Sequence, residues 1–429
     1  MTRSQRLAER SDDAVGRRHR PDYQIALYMG LLMLLGLVVM YAIGPQRANV
    51  LNNAYGTDFY GSTYFFIKQT TSLFLALVAF VVASLVPYRL LLNNAGKILV
   101  AGFIACVALL FFGNILHVDA IAQCSLGACR WFDLGPLGSL QPAEFLKFGI
   151  LIFAASFLGM RAKQGLVNDK SQTLIPLGVV AGLAMLFVVV IQKDMGTGVS
   201  LMAFLSVMLY MAGLKYRWGL LIAGILVAAG ILFILIAPHR IDRVTTFLSG
   251  DASTLDDAGA YHITHAKIAI GTGGLAGVGI GNSVQATGYL PEAINDSVFA
   301  IMGETFGFVG LVAILSLFTA LLMRLLKVAD HMPNVRLRLV VIGVFGWLAA
   351  HVILNVSAMV GLLPLTGITL PLLSFGGTSM VFIAAALGLA FQLSRYTVFG
   401  SKLKSDEYKD SQRGRGVRGA RNTGRRRTT

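Results

Sequence analysis

Asp296 is the residue of this chain with the most chemistry within reach. It stands in the stretch from Ala269 to Gly310, AIGTGGLAGVGIGNSVQATGYLPEAINDSVFAIMGETFGFVG. There, seven glycines between Gly271 and Gly288 give way to Pro291 and Glu292 and then to Asn295 and Asp296. Glycine at this density predicts a folded loop with backbone N–H groups turned outward, as for an anion. From Ser297 the sequence is apolar for about twenty-five residues, enough to cross a bilayer as a helix. Asp296 therefore lies where a loop meets a membrane. Two roles suit it there: N-cap of the following helix, which Asn295 fills equally well, or general base.

Other ionisable residues sit inside or beside apolar runs, where each charge is costly and so a candidate for function. Glu144 and Lys147 share one helix face at i, i+3, either as a salt bridge or as part of a polar site. Lys68, beside Gln69, is placed at the outer end of a span, where snorkelling is the plainer role. Glu304 follows Asp296 by about two helical turns on roughly the same face. Arg130, Lys68, Lys147, Arg240, Arg243 and Lys267 fall on or near one side of the membrane and together offer cations to an anion, phosphate above all. One carboxylate among such cations is the inventory of an inverting glycosyl transfer from a lipid pyrophosphate. The base takes the acceptor hydroxyl's proton and the cations stabilise the departing pyrophosphate. A transporter of anionic lipid needs the same cations, and spacing alone does not separate the two. A divalent cation with the pyrophosphate stays open, and the three cysteines make no zinc-ligand set.

The elements that position these residues are membrane spans. Of the 429 residues 55% are hydrophobic and 13% charged, and the mean hydropathy is +0.70, which makes this an all-α integral membrane protein. Windows of about twenty apolar residues predict about ten helices: Tyr23 to Ile43, Tyr64 to Val86, Ile98 to Leu116, Ala143 to Met160, Thr173 to Ile191, Val199 to Gly213, Trp218 to Ala237, Val298 to Leu322, Leu339 to Ser357 and Thr378 to Leu393. The net charge of +15 is concentrated in the tails: Met1 to Asp22 carries six arginines against four acids, and Arg395 to Thr429 eleven Lys/Arg against three acids. With Arg89, Lys97, Arg161, Lys163, Lys170, Lys215, Arg217, Arg324, Lys327, Arg336 and Arg338 on the side of the tails, the positive-inside rule puts both termini in the cytoplasm. The Gly-Arg tail reads as a solvated cytoplasmic anchor rather than an RNA-binding segment, so no nucleic acid partner is expected.

The domains follow as a basic tail over 1–22, a membrane domain over 23–396 and a basic tail over 397–429. Within the membrane domain, Gly44 to Thr63 is an outer loop, and 238–297 is a large outer loop in which Tyr261 to Ile270 forms a short amphipathic helix. Cys124 and Cys129 share an outer polar loop, where an oxidising compartment permits a disulfide. Cys106 is a core residue.

Four stretches in order resemble the SEDS family (shape, elongation, division and sporulation). They are GACRWFDLGPLGSLQPAEFLKFG from Gly127, QKDMGTG from Gln192, the stretch opening at Ala269, and GLLPLTGITLPLLSFGGTSM from Gly361. The likeness runs from about Tyr23 to Tyr396, and the GIGNSVQ and YLPEA wording, with Gln285 and Glu292, is nearest the division branch. It implies a ten-span glycosyltransferase that polymerises lipid II into glycan strands at the outer membrane face, with undecaprenyl-pyrophosphate-linked glycan as the growing chain. The catalytic aspartate corresponds to Asp296. Substrate-binding positions correspond to Arg130, Glu144, Lys147, Asp194 in the Asp-Met-Gly-Thr motif, and Ser374 and Ser379 in the glycine-serine signature. The chain departs from the pattern at Lys193, Ala286, Ile294, Ser297 and Thr305. The family also implies a class B penicillin-binding protein and other division proteins as partners, at a septal site in the cytoplasmic membrane. A lipid II flippase and an inactive division scaffold are the alternatives. The scarcity of charges in the inner halves of the spans favours the enzyme.

Overall fold

The computed structural model describes residues 19–118, 120–125, 128–135, 138–235 and 258–398. Arg240 and Arg243, most of the long outer loop before residue 258, and nearly all of both tails lie outside them.

Each apolar run forms a helix. In order they are α1 (Tyr23–Tyr55), α2 (Tyr64–Leu85), α3 (Ala95–Leu109), α4 (Pro142–Lys163), α5 (Ile175–Met185), α6 (Met195–Met211), α7 (Tyr216–Leu235), α8 (Ala258–Thr272), α9 (Val298–Asp330), α10 (Val335–Met359) and α11 (Gly377–Leu393). π-Helical turns extend α3 through Ile115 and flank α5 on both sides. Eight helices, counted with these extensions, are long and apolar enough to cross a membrane among the described residues. This makes the chain a multi-pass membrane protein. Helices α4, α10 and α11 are the most enclosed, and α1, α2, α3, α5 and α9 leave most of their surface outward. That is the pattern of an inner group ringed by helices that meet lipid.

Several boundaries differ from the sequence expectation, α9 running on to Asp330 rather than Leu322 and α10 starting at Val335 rather than Leu339, and two of them bear on the site. Helix α1 runs on through Pro45 to Tyr55, where an outer loop was expected. Gln46, Arg47 and Asn52 read as loop residues by polarity, yet Ala48 is buried and Gln46 Nε2 donates to the Gly281 carbonyl, so protein rather than lipid covers this extension. Helix α6 begins at Met195, not Val199, because Asp194 caps it, accepting from Thr197 N at 2.9 Å and Thr197 Oγ1 at 2.8 Å.

The glycine run has a different use from the outward-facing anion nest its composition predicted. Helix α9 is broken at Gly307, whose φ of 67° and ψ of −168° are non-helical. A break at membrane depth exposes backbone groups that must find partners inside the protein. The carbonyls of Glu304 and Thr305 accept from Val278 N and Gly279 N (2.9 and 3.1 Å), and Phe308 N and Val309 N donate to Gly274 O and Leu275 O (2.8 and 3.1 Å). The loop thus docks edge-on into the break. Gly277 has φ +81°, and a Cβ there would meet Thr305 O at 2.2 Å. Gly277→Ala is therefore expected to destabilise the protein by more than ~2 kcal/mol, combining αL strain with a backbone clash. Gly281→Ala, at φ +85° with open space around it, should cost only the strain, about 1 kcal/mol. Thermal unfolding of the two variants in detergent measures the difference, and equal midpoints would refute the docking role.

A three-stranded antiparallel sheet, β1 (Ala122–Ser125), β2 (Ala128–Asp133) and β3 (Ser139–Leu140), fills the segment between α3 and α4. Cys124 and Cys129 face each other across β1 and β2 and form the disulfide that the shared loop permitted. Mass spectrometry without reductant is expected to find peptides 124 and 129 linked. Two free thiols in protein from an oxidising compartment would contradict this.

Candidate active site

Asp296 precedes α9 by one residue more than a cap would. The N-cap position is Ser297, and its side chain makes no capping hydrogen bond, so the capping role considered for Asp296 and Asn295 is not what either does. Asp296 sits on a tight turn instead. Glu292 has φ 51°, and its carbonyl accepts from Asn295 N and Ser297 N, while Asn295 Nδ2 donates to the Glu292 carboxylate. The backbone around Asp296 is held from two sides. Asn355 Nδ2 of α10 donates to the Asp296 and Ile368 carbonyls, both at 2.7 Å, and Phe375 N donates to the Ile294 carbonyl at 2.8 Å. The Asp296 side chain is half-buried, and Ser297 Oγ lies 3.5 Å from its carboxylate. Burial first, and then the nearby Glu292 carboxylate, push its carboxyl up to about 7. A carboxyl so placed takes a proton near neutral pH, as a general base must.

Helix α8 locks the same turn. The Ser297 hydroxyl donates to Pro291 O at 2.8 Å and, with that proton committed, accepts from His262 Nε2. One turn on, His265 Nδ1 donates to Gln285 Oε1 at 2.8 Å. Neither histidine, nor Asn355, was singled out in the sequence. An i, i+3 histidine pair in an otherwise apolar helix was the available signal.

The four motif stretches meet at this end of the bundle. Arg130, on β2, donates from Nε to Gln192 O (3.0 Å) and from Nη2 to Lys193 O (2.8 Å). Gln141 Nε2 donates to Asp194 at 3.0 Å, Gln141 N donates to Thr378 Oγ1, and Thr378 Oγ1 donates to Ser139 O. Gly196 lies so near the 366–368 segment that a Cβ would sit 2.5 Å from Thr366 O. Thus Asp194 and Arg130 hold the loops around the site together, with two of the arginine's donors committed to main chain.

Several other candidates are spent on the protein itself. Glu304, 2% exposed, accepts from Ser283 Oγ, Val284 N and Gln285 N. It organises the loop carrying Gln285 rather than lying open beside Asp296, although helical periodicity places both on one side. Glu144 and Lys147 form an ion pair of 2.7 Å, 3% and 0% exposed. Lys147 Nζ also reaches His351 Nε2 at 3.2 Å and lies 5.0 Å from the Trp347 ring. Ser374 Oγ accepts from Leu370 N at 2.7 Å within its own turn. Ser379 Oγ is buried without a hydrogen-bond partner. Lys68 is half-buried over the Tyr64 ring and close enough to Asp133 to contribute to holding that exposed carboxyl below its ordinary range, behind hydrogen bonds from Gln123 and Gly135. Lys267 is exposed, its stem lying across Gly361. Among the described residues no group of three or more His, Cys, Asp or Glu is placed to hold a metal ion.

Comparison with known proteins gives the same relationship along almost the whole chain. Stage V sporulation protein E of Bacillus subtilis is 30% identical over 378 residues, covering 88% of this chain and 98% of that protein. A probable peptidoglycan glycosyltransferase FtsW of Coxiella burnetii is 31% identical over 373 residues, covering 85% and 94%. Among solved structures, a chain from a peptidoglycan synthase complex described as coordinating polymerization and crosslinking superposes with a TM-score of 0.66 at 25% identity, covering 87% of this chain and 98% of that one. The rod shape determining protein RodA of Thermus thermophilus shares the fold at a TM-score of 0.59 and 22% identity, over 88% and 98%. The family model for FtsW, RodA and SpoVE, described as cell cycle protein, matches residues 23–398, and the chain belongs to that family.

Proposed function

We propose that this protein is a peptidoglycan glycosyltransferase of cell division that polymerises lipid II at the outer face of the cytoplasmic membrane, with Asp296 as its general base. The observation that carries the reading is the Asp296 carboxyl itself: half-buried, raised to about 7 and free of any capping duty. The acceptor hydroxyl loses its proton to Asp296 as its oxygen bonds to the donor's anomeric carbon. The bond from that carbon to the pyrophosphate oxygen breaks on the opposite face, which inverts the centre. Negative charge grows on the departing pyrophosphate, and Lys68, Lys267 and the uncommitted N–H groups of Arg130 are the cations we assign to it. A divalent cation, where one is used, would arrive on the pyrophosphate oxygens.

Glu144, Lys147, Asp194, Glu304 and Ser374 support the site by packing and hydrogen bonding. Their contribution to substrate binding is indirect in this reading. A class B penicillin-binding protein that cross-links the strands is the partner we propose, a reading supported by the likeness to a chain from a synthase complex that coordinates polymerization and crosslinking. Both termini are placed in the cytoplasm by charge. The deciding assay incubates purified protein with fluorescent lipid II and resolves the products by gel electrophoresis. Glycan ladders that depend on Asp296 support the enzyme, and their absence in active-folded protein supplied with its partner overturns it.

A further inference from the structure

The two histidines of α8 hold both ends of one segment, His262 at Ser297 and His265 at Gln285, and Tyr289 and Asp296 lie between those ends. His265 does more than anchor. Its ring lies nearly parallel to that of Tyr289, 12° apart with centroids at 6.1 Å, and is itself backed by Tyr261 at 4.1 Å. The turn that carries Tyr289 is fixed by Leu290 N donating to Gln285 O and by Gly288, at φ 118°, fitting against Val50 of α1. Yet Tyr289 is 51% exposed. It is a large, half-exposed aromatic ring supported on one side by His265, which Tyr261 backs in turn, on a braced turn seven residues before the carboxylate.

Such a ring face is electron-rich, and the partners that suit it carry a flat array of polarised C–H groups with polar groups around the rim. A pyranose ring has that form. Its hydroxyls would face the carboxylates of Glu292 and Asp296, which belong to the same segment. We propose that Tyr289, backed by His265, is a stacking platform for one hexosamine ring of the glycan, setting that ring beside Asp296. The proposal rests on the glycosyltransferase reading for the identity of the sugar, but not on catalysis for its test.

The experiment measures binding of a soluble β-1,4-linked N-acetylglucosamine tetrasaccharide to the full chain in lipid nanodiscs by ligand-observed NMR. Wild type is expected to bind the tetrasaccharide. Tyr289→Phe and Tyr289→Trp should stay within about threefold, while Tyr289→Ala and Tyr289→Leu, the latter keeping apolar bulk without a π face, should bind roughly tenfold more weakly. His265→Ala, which removes the support, should weaken binding less than Tyr289→Ala does. Wild-type-like binding by both the Ala and Leu variants, or no binding by wild type, overturns the platform. Lipid II polymerisation run in parallel separates the two readings. Tyr289-dependent binding without polymer leaves the platform standing and removes the enzyme, whereas equal polymer from wild type and Tyr289→Ala does the reverse.

Discussion

Asp296→Asn is expected to lower glycan synthesis by roughly a hundredfold or more, the usual loss for a removed acid–base group, while the protein accumulates and unfolds as wild type does. The amide keeps the side chain's size. The turn does not depend on the carboxylate, because Asn355 and Phe375 hold the backbone through carbonyls. What the variant lacks is a proton acceptor. Since the carboxyl is pushed up to about 7 by burial and by Glu292, the base is the form present above that value, so wild-type synthesis should rise with pH through about 7 and level off beyond it. Glu292→Gln removes the neighbouring negative charge and should move that midpoint to lower pH. Near-normal synthesis by Asp296→Asn, or a wild-type profile flat from pH 6 to 8, would end the assignment of Asp296 as base.

The position of Asp296 was legible because two physical signals change there at once: glycine and polar residues stop, and an unbroken apolar run begins. The spans were legible for the same reason, since a bilayer imposes a length and an apolar composition that soluble helices need not show. What lies outside the hydrocarbon was harder to read. Arg47 and Gln46 belong to the helix α1, yet windows of hydropathy detect lipid contact and not helix, so a helix continuing into a protein-covered region read as loop. The disulfide needed only two cysteines in one outer loop, a constraint that survives ignorance of the hairpin around it.

The uses of the polar groups were the least legible. Glycine density announced unusual backbone but not its partner. Val278 and Gly279 spend their N–H groups on carbonyls freed at Gly307, a break about thirty residues further along that no local pattern marks. Glu304 was placed correctly on its helix and wrongly in its company, because helical periodicity gives the side of a residue and not the loop that folds over it. Arg130 and Asp194 carried motif signatures that drew attention to substrate, and both turn out to hold loops. Motif and geometry agree that these residues matter, and the geometry supplies the reason.

Lys147→Met is expected to destabilise the protein by about 3–5 kcal/mol, because it leaves Glu144 as an uncompensated charge in a site only 3% exposed. Methionine fills nearly the volume of the lysine stem, so packing against Trp347 is largely kept and the loss is mainly electrostatic. Glu144→Gln alone should cost less. The ammonium it leaves keeps His351 Nε2 at 3.2 Å and the Trp347 ring. The double variant, Glu144→Gln with Lys147→Met, removes both charges together and should recover most of the stability, since a buried pair replaced as a unit is often neutral. Thermal unfolding of the four proteins in one detergent gives the coupling directly. Losses that simply add in the double variant would mean that the two side chains stabilise the bundle independently, and the ion pair within α4 would then contribute nothing of its own.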